Sequence, residues 1–168
     1  MAFIEQDGTI VSFAEYQDVY ERDQRVFDSN EGLSVSVIES SLIRATERIL
    51  TQLRSTSWWV NYYVNRHPSV YRTVADVPAL DITRIISRTN DFTDLCVYTA
   101  LSDIILPRIA DFGDNDNAER KKMQYYQQKA EMLFGELIQA GDWYDFNDDG
   151  LIESVEKQPG YWNLRRVR

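Results

Sequence analysis

The sequence predicts a mostly α-helical protein, a bundle of four to five helices with a long C-terminal helix and an extended C-terminal arm. Three observations carry this. Apolar residues recur at three- and four-residue spacing over long stretches, and most of those stretches open on a capping residue. Alternation of period two is nowhere long enough for a large sheet.

Ser12 with Glu15 reads as a capping box, with Val11 and Tyr16 as its apolar staple, so a short helix is expected from residue 13 into the mid-twenties. Residues 24–33 (QRVFDSNEGL) read as a loop. Ser36 with Glu39 forms a second capping box, and Val37, Ile38, Leu42, Ala45, Ile49 and Leu53 trace one helical face to residue 54. The aromatic segment Trp58, Trp59, Tyr62 and Tyr63 continues it after a break near Ser55-Thr56-Ser57. From His67 to Ala79, Pro68 and Pro78 mark a connecting loop. Asp81 is an N-cap for a short helix over 82–88, and Asn90 for a longer one over 91–106 that Pro107 ends. The longest helix starts after Asp116 or Asn117. Its apolar face, Met123, Tyr126, Ala130, Leu133, Phe134, Leu137 and Ile138, runs to residue 140, where Gly141 is placed to end it in a left-handed turn. Short strands are possible near Gly8–Val11 and Val70–Val74.

A chain of 168 residues, 43% hydrophobic and 27% charged, is ordinary for one globular domain with its own core. No apolar run nears membrane-spanning length, and the N-terminus MAFIEQDGTI lacks a basic stretch followed by an apolar one. Neither a signal peptide nor a membrane helix is expected. The one cysteine, Cys96, excludes an internal disulfide and suits a reducing compartment. Net charge is −9, unevenly placed: residues 157–168 carry Lys157, Arg165, Arg166 and Arg168 with no acid, which leaves the remainder at −13. An acidic body disfavours phosphate-backbone binding, whereas a basic tail suits an acidic groove on another protein. That tail could be merely solvated, but Tyr161, Trp162 and Leu164 give it more apolar surface than disordered tails carry.

The sharpest local signal is the twelve-residue run Asp145–Glu156, which matches a Ca²⁺ loop at each defining position. Asp145, Asn147 and Asp149 occupy positions 1, 3 and 5, where alternate side chains aim oxygens at one centre. Gly150 takes the sharp turn at position 6, and the Leu151 carbonyl would ligate from position 7. Ile152 is the apolar residue of position 8, Glu153 suits the water-mediated position 9, and Glu156 the bidentate position 12. The competing reading is an acidic, metal-free turn. Gly141 should end the entering helix before Asp145, and Pro159-Gly160 should stop the exiting one within a turn. No second loop is present, and the acidic run Asp111–Asp116 has the wrong spacing. A lone loop without a helix pair to open makes a poor sensor, so weak to moderate affinity and a structural role are expected. The chain then divides into a helical domain over 1–141, the loop over 142–157 and a basic, aromatic arm over 158–168.

Other candidates have duller explanations. His67 is the only histidine, and without cysteine or histidine partners it reads as a loop residue and not a zinc ligand. Cys96 shares helical spacing with Phe92 and Leu95 and reads as a core thiol. Trp58, Trp59, Tyr62 and Tyr63 could stack a ligand, but core packing or a subunit contact is the better reading. No phosphate-cradling glycine loop, nucleophile elbow, H-E-x-x-H or Cys–His set is present, so no enzyme is expected.

The order of parts resembles the head–tail connector (adaptor, or head-completion) proteins of tailed bacteriophages. FAEYQDVY is followed by LIRATERILTQL and a proline-marked loop. DFTDLCVYTALSDIILPRI comes next, then the charged helix AERKKMQYYQQKAEMLFGELI and a terminal arm. The resemblance covers most of the chain as an arrangement and not as a motif. It implies a virion protein of the neck, assembled in the host cytoplasm as a homo-oligomeric ring, most often twelvefold. The arm, with Tyr161, Trp162, Leu164, Arg165, Arg166 and Arg168, would dock on the portal protein, and a stopper or tail-completion protein would be the other partner. DNA would only pass through the channel, with no sequence-specific binding and no membrane contact, and an acidic wall lets a duplex slide. The calcium loop is not part of that family pattern, so its role rests on its own residues. A contrasting expectation is a small calcium-binding regulatory or interaction protein with a single EF-hand.

Overall fold

A computed structural model describes residues 3–6, 9–28, 32–110 and 118–157. Seven α-helices and one two-stranded hairpin occur among them, so the protein is mostly α. The chain forms two compact units, Met1–Ile49 with Arg88–Gln139, and Leu50–Ser87 with Ala140–Arg168. No helix among the described residues is long and apolar enough to cross a membrane.

The first unit opens with β1 (Ile4–Gln6) paired antiparallel to β2 (Thr9–Ser12), which meets the strand expected near Gly8–Val11. Helix α1 (Tyr16–Arg22) starts three residues later than its expected capping box. Ser12 instead closes the hairpin, its hydroxyl donating to the Ala14 carbonyl at 2.7 Å. Ser12 is still paired with Ile4 in the hairpin, and the Phe13 amide donates to Thr46 Oγ1 at 3.1 Å. Glu15 becomes the cap and forms a box with Asp18. The expected loop after it contains one helical turn, α2 (Arg25–Asp28).

Helix α3 (Val35–Ser55) begins just before Ser36, because the Ser34 carbonyl accepts from Val37 and Ile38, both at 3.1 Å. Its predicted stripe is the centre of this unit: Ile38, Leu42, Ala45 and Ile49 are wholly buried. Ile38, Leu42 and Ile49 each contribute about 1.5–3 kcal/mol by leaving water. Facing them is α5 (Thr89–Ala100), with Phe92, Leu95 and Cys96 buried. Asn90 is not its cap; Arg88, in a left-handed conformation at φ 56°, precedes the first turn and Asn90 lies within it. The helix also does not run regularly to Pro107. It widens to a π turn over Leu101–Ile105 and tightens to a 3₁₀ turn over Leu106–Arg108. Proline can sit only in the first turn of a helical segment, so the ladder is renewed around Pro107. Helix α6 (Ala118–Ala140) has the predicted extent, with Tyr126 and Leu137 buried. Lys122 on α6 reaches the nearly buried Asp23 at 2.8 and 2.9 Å, and Tyr126 donates to the same carboxylate at 3.2 Å.

The second unit is built on α4 (Ser57–Arg66), for which Thr56 is the cap, its hydroxyl accepting from the Trp59 amide at 3.3 Å. The helix break expected near Ser55-Thr56-Ser57 is therefore this N-cap. The segment beyond α4 is irregular, and Val70–Val74 forms no strand: Val74–Asp76 is a 3₁₀ turn boxed by Thr73 and Asp76. Arg54 binds the Val77 carbonyl through Nε at 3.1 Å and Nη2 at 2.6 Å, and the Trp59 indole donates to Pro78 at 3.0 Å. Asp81 caps its helix as expected, but only for the 3₁₀ turn Ile82–Arg84, because Ile85 leaves to bridge Tyr144. The last helix, α7 (Ser154–Lys157), is a single turn.

Candidate metal centre

All the described loop residues, and every residue that holds the loop, belong to the second unit. At Gly141, φ is 59°, the left-handed terminator that its sequence position predicted. The chain then runs extended against 84–86: the Ile86 amide donates to the Trp143 carbonyl at 3.1 Å and the Asp145 amide to the Arg84 carbonyl at 3.0 Å. Trp143, Tyr144 and Phe146 are buried. Phe146, position 2 of the loop, stacks on Tyr62 with ring centroids 3.7 Å apart and lies 5.0 Å from Trp58 and 4.8 Å from Tyr144. Trp58 in turn packs on Trp143 at 4.7 Å. Trp58 and Trp59 are thus core, one of the two expected roles, Tyr62 and Tyr63 are half-buried, and their partner is the extended segment that leads into the loop.

Within the loop the acidic side chains are organised by backbone amides. Asp145 Oδ1 accepts from Asp148 and Oδ2 from Gly150, both at 2.7 Å. Asn147 Oδ1 accepts from Asp149 at 3.1 Å, and Asp149 Oδ1 from Leu151 at 2.9 Å. Glu156 reaches back across the loop: Oε1 accepts from Phe146 at 3.0 Å and Asn147 at 3.2 Å, and Oε2 from Glu153 at 2.8 Å. Position 12 is therefore tied to positions 2, 3 and 9 through their amides. Two left-handed residues, Asp148 at φ 63° and Gly150 at φ 82°, make the turn.

Burial sorts the predicted ligands. Asp145 and Glu156 are 2% and 3% exposed, whereas Asn147, Asp149, Leu151 and Glu153 face solvent. Burial works against the charged form of Asp145, but the amides of Gly150, Asp148, Asp149 and Asn147 outweigh it and hold its pKa below the usual aspartate range. The carboxylate is kept ionised by dipoles.

Comparison with protein families, with curated proteins and with solved structures finds no match to this chain. The site must be read from its chemistry. Among the described residues, no three carboxylate, imidazole or thiol groups stand together as a closed ion cage. The run Asp145–Glu156 draws part of its donor set from an amide, Asn147, and a main-chain carbonyl, Leu151. All its donors are hard oxygens, at alternate positions from 145 to 153 and then at 156, a set that fits Ca²⁺. Asp145, Asn147, Asp149, Glu153, Glu156 and the Leu151 carbonyl would hold it, and the ion would supply charge neutralisation, not catalysis.

Three contributors lay outside the sequence reading. Arg84 donates from Nη1 to the Phe146 carbonyl at 3.1 Å and pairs with Asp148 at 3.4 Å. Tyr144 accepts from the Asp81 amide at 3.2 Å, and burial pushes its hydroxyl up to about 12. Gly141 also lies against Lys157, the last residue of α7. The aromatic density of W-Y-x-F beside D-x-N-x-D was the one available signal for the leading strand. Nothing in the sequence pairs it with 84–86. The arm residues Tyr161, Trp162, Leu164, Arg165, Arg166 and Arg168, with Pro159-Gly160, lie outside the described residues. Of the remaining candidates, His67 is exposed in a turn and Cys96 is buried.

Proposed function

We propose that Asp145–Glu156 is a structural Ca²⁺ loop and that this protein is a head-to-tail connector of a tailed bacteriophage, working as a homo-oligomeric ring. The observation that carries the metal reading is the buried, amide-held pair Asp145 and Glu156 at the two ends of an oxygen-rich turn. An ion there would offset the repulsion among Asp145, Asp149, Glu153 and Glu156 and fix the direction in which the chain leaves Lys157. The arm that follows, basic and aromatic, would dock on the portal protein.

The flanks of the loop favour a structural role over a regulatory one. Its leading side is an extended segment clamped in an aromatic core and not a helix, and Gly141 ends α6 four residues before Asp145. A calcium sensor needs two helices whose angle can change. The connector reading draws on the order of helices, on the net charge of −9 and on the basic tail.

Calorimetric titration of the purified chain with Ca²⁺ tests the first part; the absence of heat at millimolar Ca²⁺ would overturn it for the isolated chain. Light scattering with and without Ca²⁺ measures assembly. Truncation after Pro159 should leave a folded protein that no longer docks on portal, and retained docking would remove the arm's assigned role. Under the regulatory alternative, Ca²⁺ would instead change helicity and expose apolar surface in a compact monomer.

A further inference from the structure

Arg84 closes the 3₁₀ turn Ile82–Arg84 and holds the acidic loop at three points, none of them a metal-ligating side-chain atom. Its carbonyl accepts from the Asp145 amide at 3.0 Å. Its Nη1 donates to the Phe146 carbonyl at 3.1 Å, and Nη2 pairs with the Asp148 carboxylate at 3.4 Å. Positions 1, 2 and 4 are thereby gripped from outside, and Arg84 takes none of the side-chain oxygens of positions 1, 3 and 5.

Asp148 makes this grip informative. It is the loop acid that stands at no ligand position, and its φ of 63° is costly for a residue with a side chain. Two contacts hold it there, its amide on Asp145 Oδ1 at 2.7 Å and its carboxylate on Arg84. Five carboxylates crowd these twelve residues, Asp145, Asp148, Asp149, Glu153 and Glu156, and their repulsion favours an open loop. A loop that must be ordered at the moment of binding loses affinity for its ligand.

We propose that Arg84 is a positioning residue that pre-shapes the first half of the loop and thereby raises its affinity for a divalent cation. This rests on the calcium reading above. Charge alone predicts the opposite, since a guanidinium repels a dication. The Arg84 side chain is 30% exposed and that of Asp148 68%, so solvent screens that repulsion, and ordering outweighs it.

The two effects differ in sign, so titrating the full-length chain with Ca²⁺, and with Tb³⁺ as a luminescent probe, separates them. Arg84→Gln should bind about tenfold more weakly, the loss expected for one charge-assisted hydrogen bond. Arg84→Gln with Asp148→Asn, which leaves the net charge of the region unchanged, should show a similar loss. Arg84→Lys keeps the charge but not the two-point fork, and should recover only part of the affinity. A shortened Tb³⁺ luminescence lifetime in Arg84→Gln would report extra water on a looser site, which a change in fold stability alone would not produce. Wild-type affinity or tighter binding in Arg84→Gln overturns the proposal. Where that variant does not fold, unchanged affinity in Arg84→Lys overturns it instead. If the wild-type chain takes up neither ion, the calcium reading fails and this inference falls with it. Binding by wild type with no loss in the variants overturns the inference alone.

Discussion

Gly141 and Lys157 meet face to face: a methyl group on the Gly141 α-carbon would overlap the Lys157 carbonyl oxygen and stand 3.0 Å from Trp58 Nε1. The two ends of the acidic segment are therefore closed on one another, and only a residue without a side chain permits it. Three glycines make a graded test. Gly141→Ala combines a left-handed φ of 59° with this overlap, and should cost roughly 2–4 kcal/mol by thermal or urea unfolding. Gly150→Ala has open space but a φ of 82°, and should cost about 1 kcal/mol. Gly135→Ala, in α6 with nothing near it, should stabilise by about 0.5–1 kcal/mol. An order other than 141, 150, 135 would contradict the geometry.

Because Phe146 belongs at once to the loop and to the aromatic core, the proposed ion binding would be coupled to the fold of the second unit. Ca²⁺ at a hundredfold excess over its dissociation constant should stabilise the protein by about 2.7 kcal/mol, reversed by chelator. Phe146→Ala should cost about 3 kcal/mol without any ion, since it empties the space against Tyr62 and Trp58. It should also weaken Ca²⁺ uptake in the same titration.

Lys122 is the only described cation hydrogen-bonded to Asp23, whose side chain is 7% exposed. Lys122→Met would leave that carboxylate with the Tyr126 hydroxyl alone, at a cost of about 3 kcal/mol. Adding Asp23→Asn should recover part of the loss in a double-mutant cycle.

Burial pushes the Cys96 thiol up to about 11, against hydrogen bonds from its neighbours that favour the thiolate. A thiol in the unfolded chain titrates near 8.5, so the folded value is the higher one. Its contribution is complete below about pH 8.5 and is lost as pH rises through the folded pKa. Between pH 8 and 10 the wild-type protein should lose roughly 1–2 kcal/mol more than Cys96→Ala does. Equal losses in urea unfolding would show that the thiol is not desolvated. Reagents for thiols at pH 8 should modify Cys96 only on unfolding.

Helices with long apolar stripes were legible, because burial along one face repeats in the sequence itself. Ile38, Leu42, Ala45 and Ile49 on α3, and the full extent of α6 to Gly141, are of this kind. Helix starts were less legible. The Ser12–Glu15 box lost to Glu15–Asp18 because Ser12 is the last residue of β2, paired with Ile4, and its hydroxyl donates to the Ala14 carbonyl. Asn90 lost its capping role to a left-handed Arg88. At Ser12 the local capping signal competed with strand pairing to Ile4 and lost.

The helical class, the oxygen-donor pattern of Asp145–Glu156 and the end of the entering helix at Gly141 were legible in the sequence, because they depend on spacing within short stretches. Tertiary structure decided what holds that stretch in shape. The pairing of 143–145 with 84–86, the stacking of Phe146 on Tyr62, the clamp of Arg84 and the closure of Lys157 on Gly141 join segments distant in sequence or fill a space only the fold defines. Residue types announce what a segment can bind. Which distant residues order it depends on packing, and no local pattern records that.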